Sequence, residues 1–337
     1  MKCYWMSITL VCSMIASLSA QTGGSSGIRA NALTLKDGTQ IHFLQAGRSS
    51  SASALVFIPG WTLPAFLWKE QIQKFSTERL VIAVDPRSQG DSSKTELGNT
   101  PEQRAQDIRE ILSMLRISNV VLVGWSQGSQ DVAAYIQQFG TSSLAGAVFV
   151  DSPVSAGPSE IEINKEYSQH FLGMLAIYAN HPGEYCEGMV RSMFKKPHPE
   201  LNLAEVVEHS RKTPVSTGIT MLIMDIFAVD RRPALARLDK PTLVIAATGS
   251  PLLEAQKRMA ASIPGSQFVP IEDAGHAVFV DQPQAFDEAL ERLLKSILST
   301  TDSTRSNSTR IPTNVAERLG SGIQGAPICA RSKMSCY

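Results

Sequence analysis

Residues 119–138 read NVVLVGWSQGSQDVAAYIQQ, and this stretch restricts the possible folds more than any other. Val120, Val121, Leu122 and Val123 form a short apolar, mostly β-branched run, the pattern of a strand buried on both faces of a parallel sheet. Val132, Ala133, Tyr135, Ile136 and Phe139 then recur at helical spacing. Between them lies Gly124-Trp125-Ser126-Gln127-Gly128, a G-x-S-x-G pentapeptide at a strand-to-helix turn. Such a turn is cramped, so small residues must flank the serine two positions to either side. It exposes the hydroxyl at the C-terminal edge of the sheet and leaves the following N–H groups free at a helix start. A Gly-rich turn with an ordinary serine fits the pentapeptide taken alone. The strand before it and the helix after it favour a nucleophile.

The rest of the chain repeats the same rhythm. Residues 31–46 read as a hairpin around Asp37-Gly38. Buried strands are expected at Ala54 to Ile58, Arg79 to Val84, Leu144 to Val150, Pro241 to Ala247 and Ser266 to Ile271. Thr100-Pro101-Glu102-Gln103 is a capping box that starts a helix running to about Leu115. Further helices are expected over Ala65 to Phe75, Ala255 to Ile263 and Pro283 to Leu298. Strand alternating with helix implies an α/β fold, a mostly parallel central sheet flanked by helices. The rhythm breaks once, over residues 154–235, which carry helical patterns and no clear strand. They read as a helical cap over the C-terminal edge of the sheet. The core is thus expected in two parts, residues 28–153 and 236–298.

The termini read differently. Lys2 precedes an apolar stretch, Ile8 to Leu18, that ends in Ser-Leu-Ser-Ala, the pattern of a signal peptide over residues 1–20. This predicts a secreted or periplasmic protein. The stretch is too short to span a membrane. Residues 299–337 turn to Ser, Thr, Asn and Arg without periodicity and are expected to be a disordered tail. Cys186, Cys329 and Cys336 would follow the leader, so Cys329 and Cys336 could bridge and leave Cys186 free. The 31 basic and 31 acidic side chains cancel, and no basic run argues for nucleic acid as a partner.

A serine hydroxyl needs a base within hydrogen-bond reach, and the base needs an orienting acid. Of the 6 histidines, His276 alone sits in a loop between a strand and a helix at the edge that carries Ser126. His42 reads as a strand residue, and His170, His181, His198 and His209 fall in the cap without pattern. The acid should follow a later strand. The strand ending at Ala247 is followed by Thr248-Gly249-Ser250-Pro251, without a carboxylate; its nearest acid is Glu254. The strand ending at Val150 is followed directly by Asp151, with Asp225, Asp230 and Asp273 as weaker alternatives. An oxyanion hole needs two N–H donors, for which Gln127 and Trp61 are best placed.

With these positions in hand, the chain resembles the α/β-hydrolase fold superfamily over about residues 31–298. Pro59-Gly60-Trp61-Thr62 is similar to the family's His-Gly-Trp-Pro oxyanion loop, and residues 85–92, DPRSQGDS, to its Asp-x-Arg-Gly-x-Gly-x-Ser loop. The elbow at Ser126 and the pair Ala274-Gly275-His276 and Asp281-Gln282-Pro283 match in the same order. The Gly-Trp loop looks most like the cofactor-free haloperoxidase and esterase group. Pro59 departs from that group's His, and Ser250 stands where it carries its catalytic Asp. Other branches place the acid where Asp151 stands, so the resemblance assigns Ser126, His276 and Asp151 as a triad.

The expected function is hydrolysis of a small ester or related acyl substrate through an acyl-enzyme, with no metal or organic cofactor. Acyl transfer to peroxide on the same site is the second reading. A binding protein on a hydrolase scaffold, suggested by the missing acid after Ala247, is the third. Met174, Met189, Met193, Phe194, Met221, Met224 and Phe227 in the cap could line the pocket or form core.

Overall fold

The computed structural model describes residues 27–49 and 52–308. The expected leader, residues 1–20, lies outside the described residues, as do Cys329, Cys336 and positions 309–337 of the expected tail. Strands β1 (Arg29–Thr34) and β2 (Gln40–Ala46) form the expected hairpin and pair antiparallel. β3 (Ala54–Ile58), β4 (Val81–Val84), β5 (Val120–Trp125), β6 (Leu144–Val150), β7 (Thr242–Ala247) and β8 (Gln267–Ile271) follow, all parallel to one another. The sheet order is β1-β2-β4-β3-β5-β6-β7-β8. β5, which ends at the serine turn, therefore lies between β3 and β6, and the loops after all three converge on one place.

Side-chain alternation divides the apolar core into two layers. Phe57, Val121, Val123, Val148 and Ile245 face one side of the sheet; Val56, Leu122, Phe149 and Val244 face the other. The first layer is covered by α1 (Lys69–Phe75) through Ile72 and Phe75. The second is covered by α2 (Pro101–Met114) through Ile108 and Ile111 and by α3 (Gln127–Phe139) through Val132 and Ile136. Thr100 caps α2 as expected, its hydroxyl accepting from the Gln103 N–H at 3.2 Å.

The cap holds α4 (Glu160–Ile163), α5 (Lys165–Asn180), α6 (Pro182–Ser192), α7 (Leu203–Arg211) and α8 (Val215–Ile223), and among the described residues no strand of the sheet falls within it. α8 runs into one π-helical turn, Met224–Ala228. Beyond β7 lie α9 (Leu253–Ser262), α10 (Val278–Asp281) and α11 (Pro283–Ser308). α11 continues ten residues past the expected end at Leu298, so residues 299–308 are helix rather than tail. Phe286, Leu290, Leu293, Leu294 and Ile297 dock this helix on the first layer. Once it is anchored, each further residue adds a hydrogen bond at small cost, even through Ser and Thr. No described helix is long and apolar enough to cross a membrane.

Candidate active site

Ser126 occupies the turn between β5 and α3 with φ 55° and ψ −118°, a region that costs about 1–3 kcal/mol for a residue with a side chain. The flanking glycines make this turn possible. A Cβ on Gly124 would stand 2.3 Å from the Gly128 carbonyl oxygen, and one on Gly128 would stand 2.5 Å from that of Ile58. The helix start is thus pressed against both β3 and β5. Gly60, after β3, comes as close from the other side: a Cβ there would lie 3.2 Å from Ser126 Cβ.

Asp151 follows β6 directly, also at positive φ (47°), and is 2% exposed. Its Oδ2 lies 2.7 Å from His276 Nδ1. Its Oδ1 accepts from the Ala247 N–H at 3.0 Å and from Gln256 Nε2 at 3.2 Å. The carboxylate beside His276 thus comes from the end of β6, and the end of β7 contributes a backbone donor to it. Glu254 points outward and pairs with Lys257 at 2.8 Å, away from the imidazole. Asp230 pairs with Arg232, also outside the site.

His276 is held by its backbone as well as by its ring. Trp125 Nε1 donates to the His276 carbonyl at 2.9 Å. The preceding Gly275 N–H donates to Asp281 Oδ2 at 2.7 Å, and the same oxygen accepts from the Lys195 N–H of the cap at 2.8 Å. Asp281 Oδ1 lies 2.7 Å from His198 Nε2, whose Nδ1 lies 2.6 Å from Glu200. Burial works against a charge on His198, but the hydrogen bonds to Asp281 and Glu200 prevail and raise its pKa above the ordinary imidazole value. His198 is thus a strut between the cap and the loop of His276, a role that no local pattern announces.

Ser126 and His276 line one cavity of about 630 Å³, together with Trp61, Met174, Met189, Met193 and Phe194. Among the described residues the hydroxyl and the imidazole are not hydrogen-bonded to each other, a spacing common in sites without substrate. Met221 instead lies in the core, and Phe227 packs edge-on against Phe171 at 6.0 Å. Trp61 and Gln127 stand either side of Ser126, and neither backbone N–H has an acceptor among the described residues. The Trp61 indole is anchored by donation to the Gly218 carbonyl at 2.9 Å.

Beneath Gln127 lies a charge network that the sequence did not reveal. Arg104, fully buried, sits 2.8 Å from Asp131 and 2.6 Å from Asp225. With its amide turned to match its neighbours, Gln127 Oε1 accepts from Arg104 at 3.0 Å. Gln127 and Asp131 are four residues apart on α3, so one guanidinium from α2 holds the first turn of the helix that follows the serine. Burial pushes both carboxyls up, Asp131 to about 7, while Arg104 pulls them back.

A sequence profile of the alpha/beta hydrolase family matches residues 55–289. The chain belongs to the alpha/beta hydrolase family. This alpha/beta hydrolase is similar to a non-heme haloperoxidase of Rhodococcus erythropolis, 32% identical over 35% of this chain and 42% of that protein. It is also similar to a bifunctional esterase/perhydrolase of Acinetobacter calcoaceticus, 30% identical over 36% of this chain and 44% of that protein. The matches span less than half the length of these relatives. Among solved structures, an esterase from Exiguobacterium antarcticum superposes with a TM-score of 0.68 at 22% identity, covering 79% of this chain and all (100%) of that one. The resemblance to the cofactor-free haloperoxidase and esterase group thus holds.

Proposed function

We propose that this alpha/beta hydrolase is a serine hydrolase that cleaves a small carboxylic ester or related acyl substrate. The observation that carries the reading is the 2.7 Å contact between Asp151 and His276 Nδ1 on the cavity that Ser126 also lines. With Nδ1 committed to Asp151, Nε2 is left to take the serine proton. Ser126 Oγ attacks the ester carbonyl as that proton moves to His276. The tetrahedral oxyanion takes hydrogen bonds from the N–H groups of Trp61 and Gln127. Collapse expels the alcohol, which leaves with the proton from His276. Water, deprotonated by the same imidazole, then releases the acid and restores Ser126. No metal or organic cofactor enters these steps.

A fluorophosphonate probe tests the reading directly: it should label the wild type at Ser126 and leave Ser126→Ala unlabelled. Folded wild-type protein that resists labelling would overturn it.

A second reading is acyl transfer to hydrogen peroxide on the same residues, favoured by the esterase/perhydrolase among the relatives. Peracid formation measured against ester hydrolysis separates the two. The third reading, a binding protein on a hydrolase scaffold, rests on the missing acid after β7; the contact of Asp151 with His276 argues for the catalytic reading over it. We further propose that residues 1–20 direct export, on the strength of their apolar pattern; N-terminal sequencing of mature protein beginning near position 21 would support it, and an intact Met1 would not.

A further inference from the structure

Ser126 lies where two cavities meet. The wide one holds His276 and the methionines. The narrow one, about 110 Å³, shares Trp61, Ser126 and Tyr167 with it and extends away from the imidazole to Gln130, Asp225 and Ile226. Asp225 is 1% exposed, and its two oxygens are treated differently. Oδ1 accepts from Arg104 at 2.6 Å; Oδ2 is buried without a partner among the described residues. A buried carboxylate oxygen left unpaired is costly, and such a group calls for an explanation. The backbone around it is also unusual. Asp225 belongs to the π-helical turn Met224–Ala228, a rare geometry that is frequent at functional sites. That turn is braced, since Arg231 donates to the carbonyls of Asp225 at 3.0 Å and Met224 at 3.2 Å, and the Ser155 hydroxyl donates to that of Ile226. Other carboxylates near the serine are satisfied: Asp131 by Arg104, Glu160 by the Ala156 N–H and Asn164.

We infer that the narrow pocket binds a short arm of the substrate that carries a hydrogen-bond donor, a hydroxyl or N–H, with Asp225 Oδ2 as its acceptor. The inference rests on the serine hydrolase reading and narrows its substrate class: an ester with one bulky apolar arm for the methionine-lined cavity and one short, donor-bearing arm. A donor on that arm supplies the partner that Oδ2 lacks. A site built around such a bond discriminates strongly against an analogue that lacks it.

The test uses matched esters in two series, because either arm of the ester could enter the narrow pocket. In the acyl series the phenyl esters of 3-hydroxybutanoic, 3-methoxybutanoic and 3-methylbutanoic acids are compared; in the alcohol series the 2-hydroxyethyl, 2-methoxyethyl and propyl esters of octanoic acid. A hydrogen bond to a charged group predicts that the hydroxyl member of one series has a kcat/KM about 10- to 100-fold above both analogues. Asp225→Asn, which turns an amide N–H₂ toward the pocket, should bring the ratio of hydroxyl to methoxy ester to about one or below. Esters turned over with no hydroxyl preference in either series would overturn the inference and leave the hydrolase reading intact, the pocket then holding ordered water only. A wild-type preference that Asp225→Asn leaves unchanged in folded protein would overturn it as well. No turnover of any ester together with no fluorophosphonate labelling would overturn the hydrolase reading, and this inference with it.

Discussion

Asp151→Asn is the most informative single change, because the surroundings of Asp151 dictate how the asparagine must sit. In the wild type one carboxylate oxygen accepts from the Ala247 N–H and Gln256, and the other faces His276 Nδ1. An asparagine has one acceptor oxygen and one N–H₂ group. The two donors on the Ala247 side select the oxygen, so the N–H₂ must face the imidazole. His276 Nδ1 then has to accept, and the ring proton moves to Nε2, the nitrogen that in the proposed mechanism takes the proton of Ser126. The base is switched off by tautomer while its position is kept. The expected loss is about 10⁴-fold in kcat, as for other triads carrying this change, or roughly 5 kcal/mol of transition-state stabilisation. The fold should survive. The volumes match, Asn is among the residues that tolerate the positive φ of 47° found here, and the hydrogen bonds from Ala247 and Gln256 remain. Hydrolysis of an activated ester such as p-nitrophenyl butanoate reads the rate, and thermal unfolding checks integrity. A folded variant retaining more than a tenth of wild-type kcat would refute the assignment of Asp151 as the orienting acid.

Other outcomes follow from the same geometry. Gly128→Ala places a Cβ 2.5 Å from the Ile58 carbonyl oxygen, a rigid backbone atom, so it should cost at least ~1–3 kcal/mol and lower Tm by several degrees, read by differential scanning fluorimetry. Arg104→Ala leaves Asp131 and Asp225 buried without their cation; urea unfolding should show a loss of about 3–5 kcal/mol, and a loss below ~1 kcal/mol would contradict the network. His198 has a raised folded-state pKa, so its ion pairs stabilise fully below its unfolded value of about 6.5 and are lost as pH rises through the higher folded value. The Tm difference between wild type and His198→Gln should therefore be largest near pH 6 (about half a unit below the unfolded value) and shrink toward alkaline pH; a difference independent of pH would rule out a charged His198.

Much of the fold could be read locally. Strands such as Leu144–Val150 are unbroken apolar runs bounded by turn residues, and their ends match the expected positions. The serine turn was legible because its chemistry requires glycine at fixed offsets. Asp151 could be placed after a strand, yet its contact with His276 joins residues 125 positions apart and depends on β6 lying beside both β5 and β7. The Arg104 network was invisible for a related reason. Arg104 reads as one polar residue on an amphipathic helix, and its partners Asp131 and Asp225 come from separate elements. His198 has no periodicity to mark it. The end of α11 was misplaced because Ser and Thr suggest a break, whereas tertiary docking upstream carries the helix on to Ser308.

The double use of Asp281 Oδ2, which grips the Gly275 N–H and the Lys195 N–H at once, has a mechanical consequence. Residues 193–198 cannot swing like a door without tugging the hinge of the imidazole, since the Met193 carbonyl is also held by the Ala277 N–H. If His276 is the base, keeping its imidazole steady requires this side of the roof to stay in place.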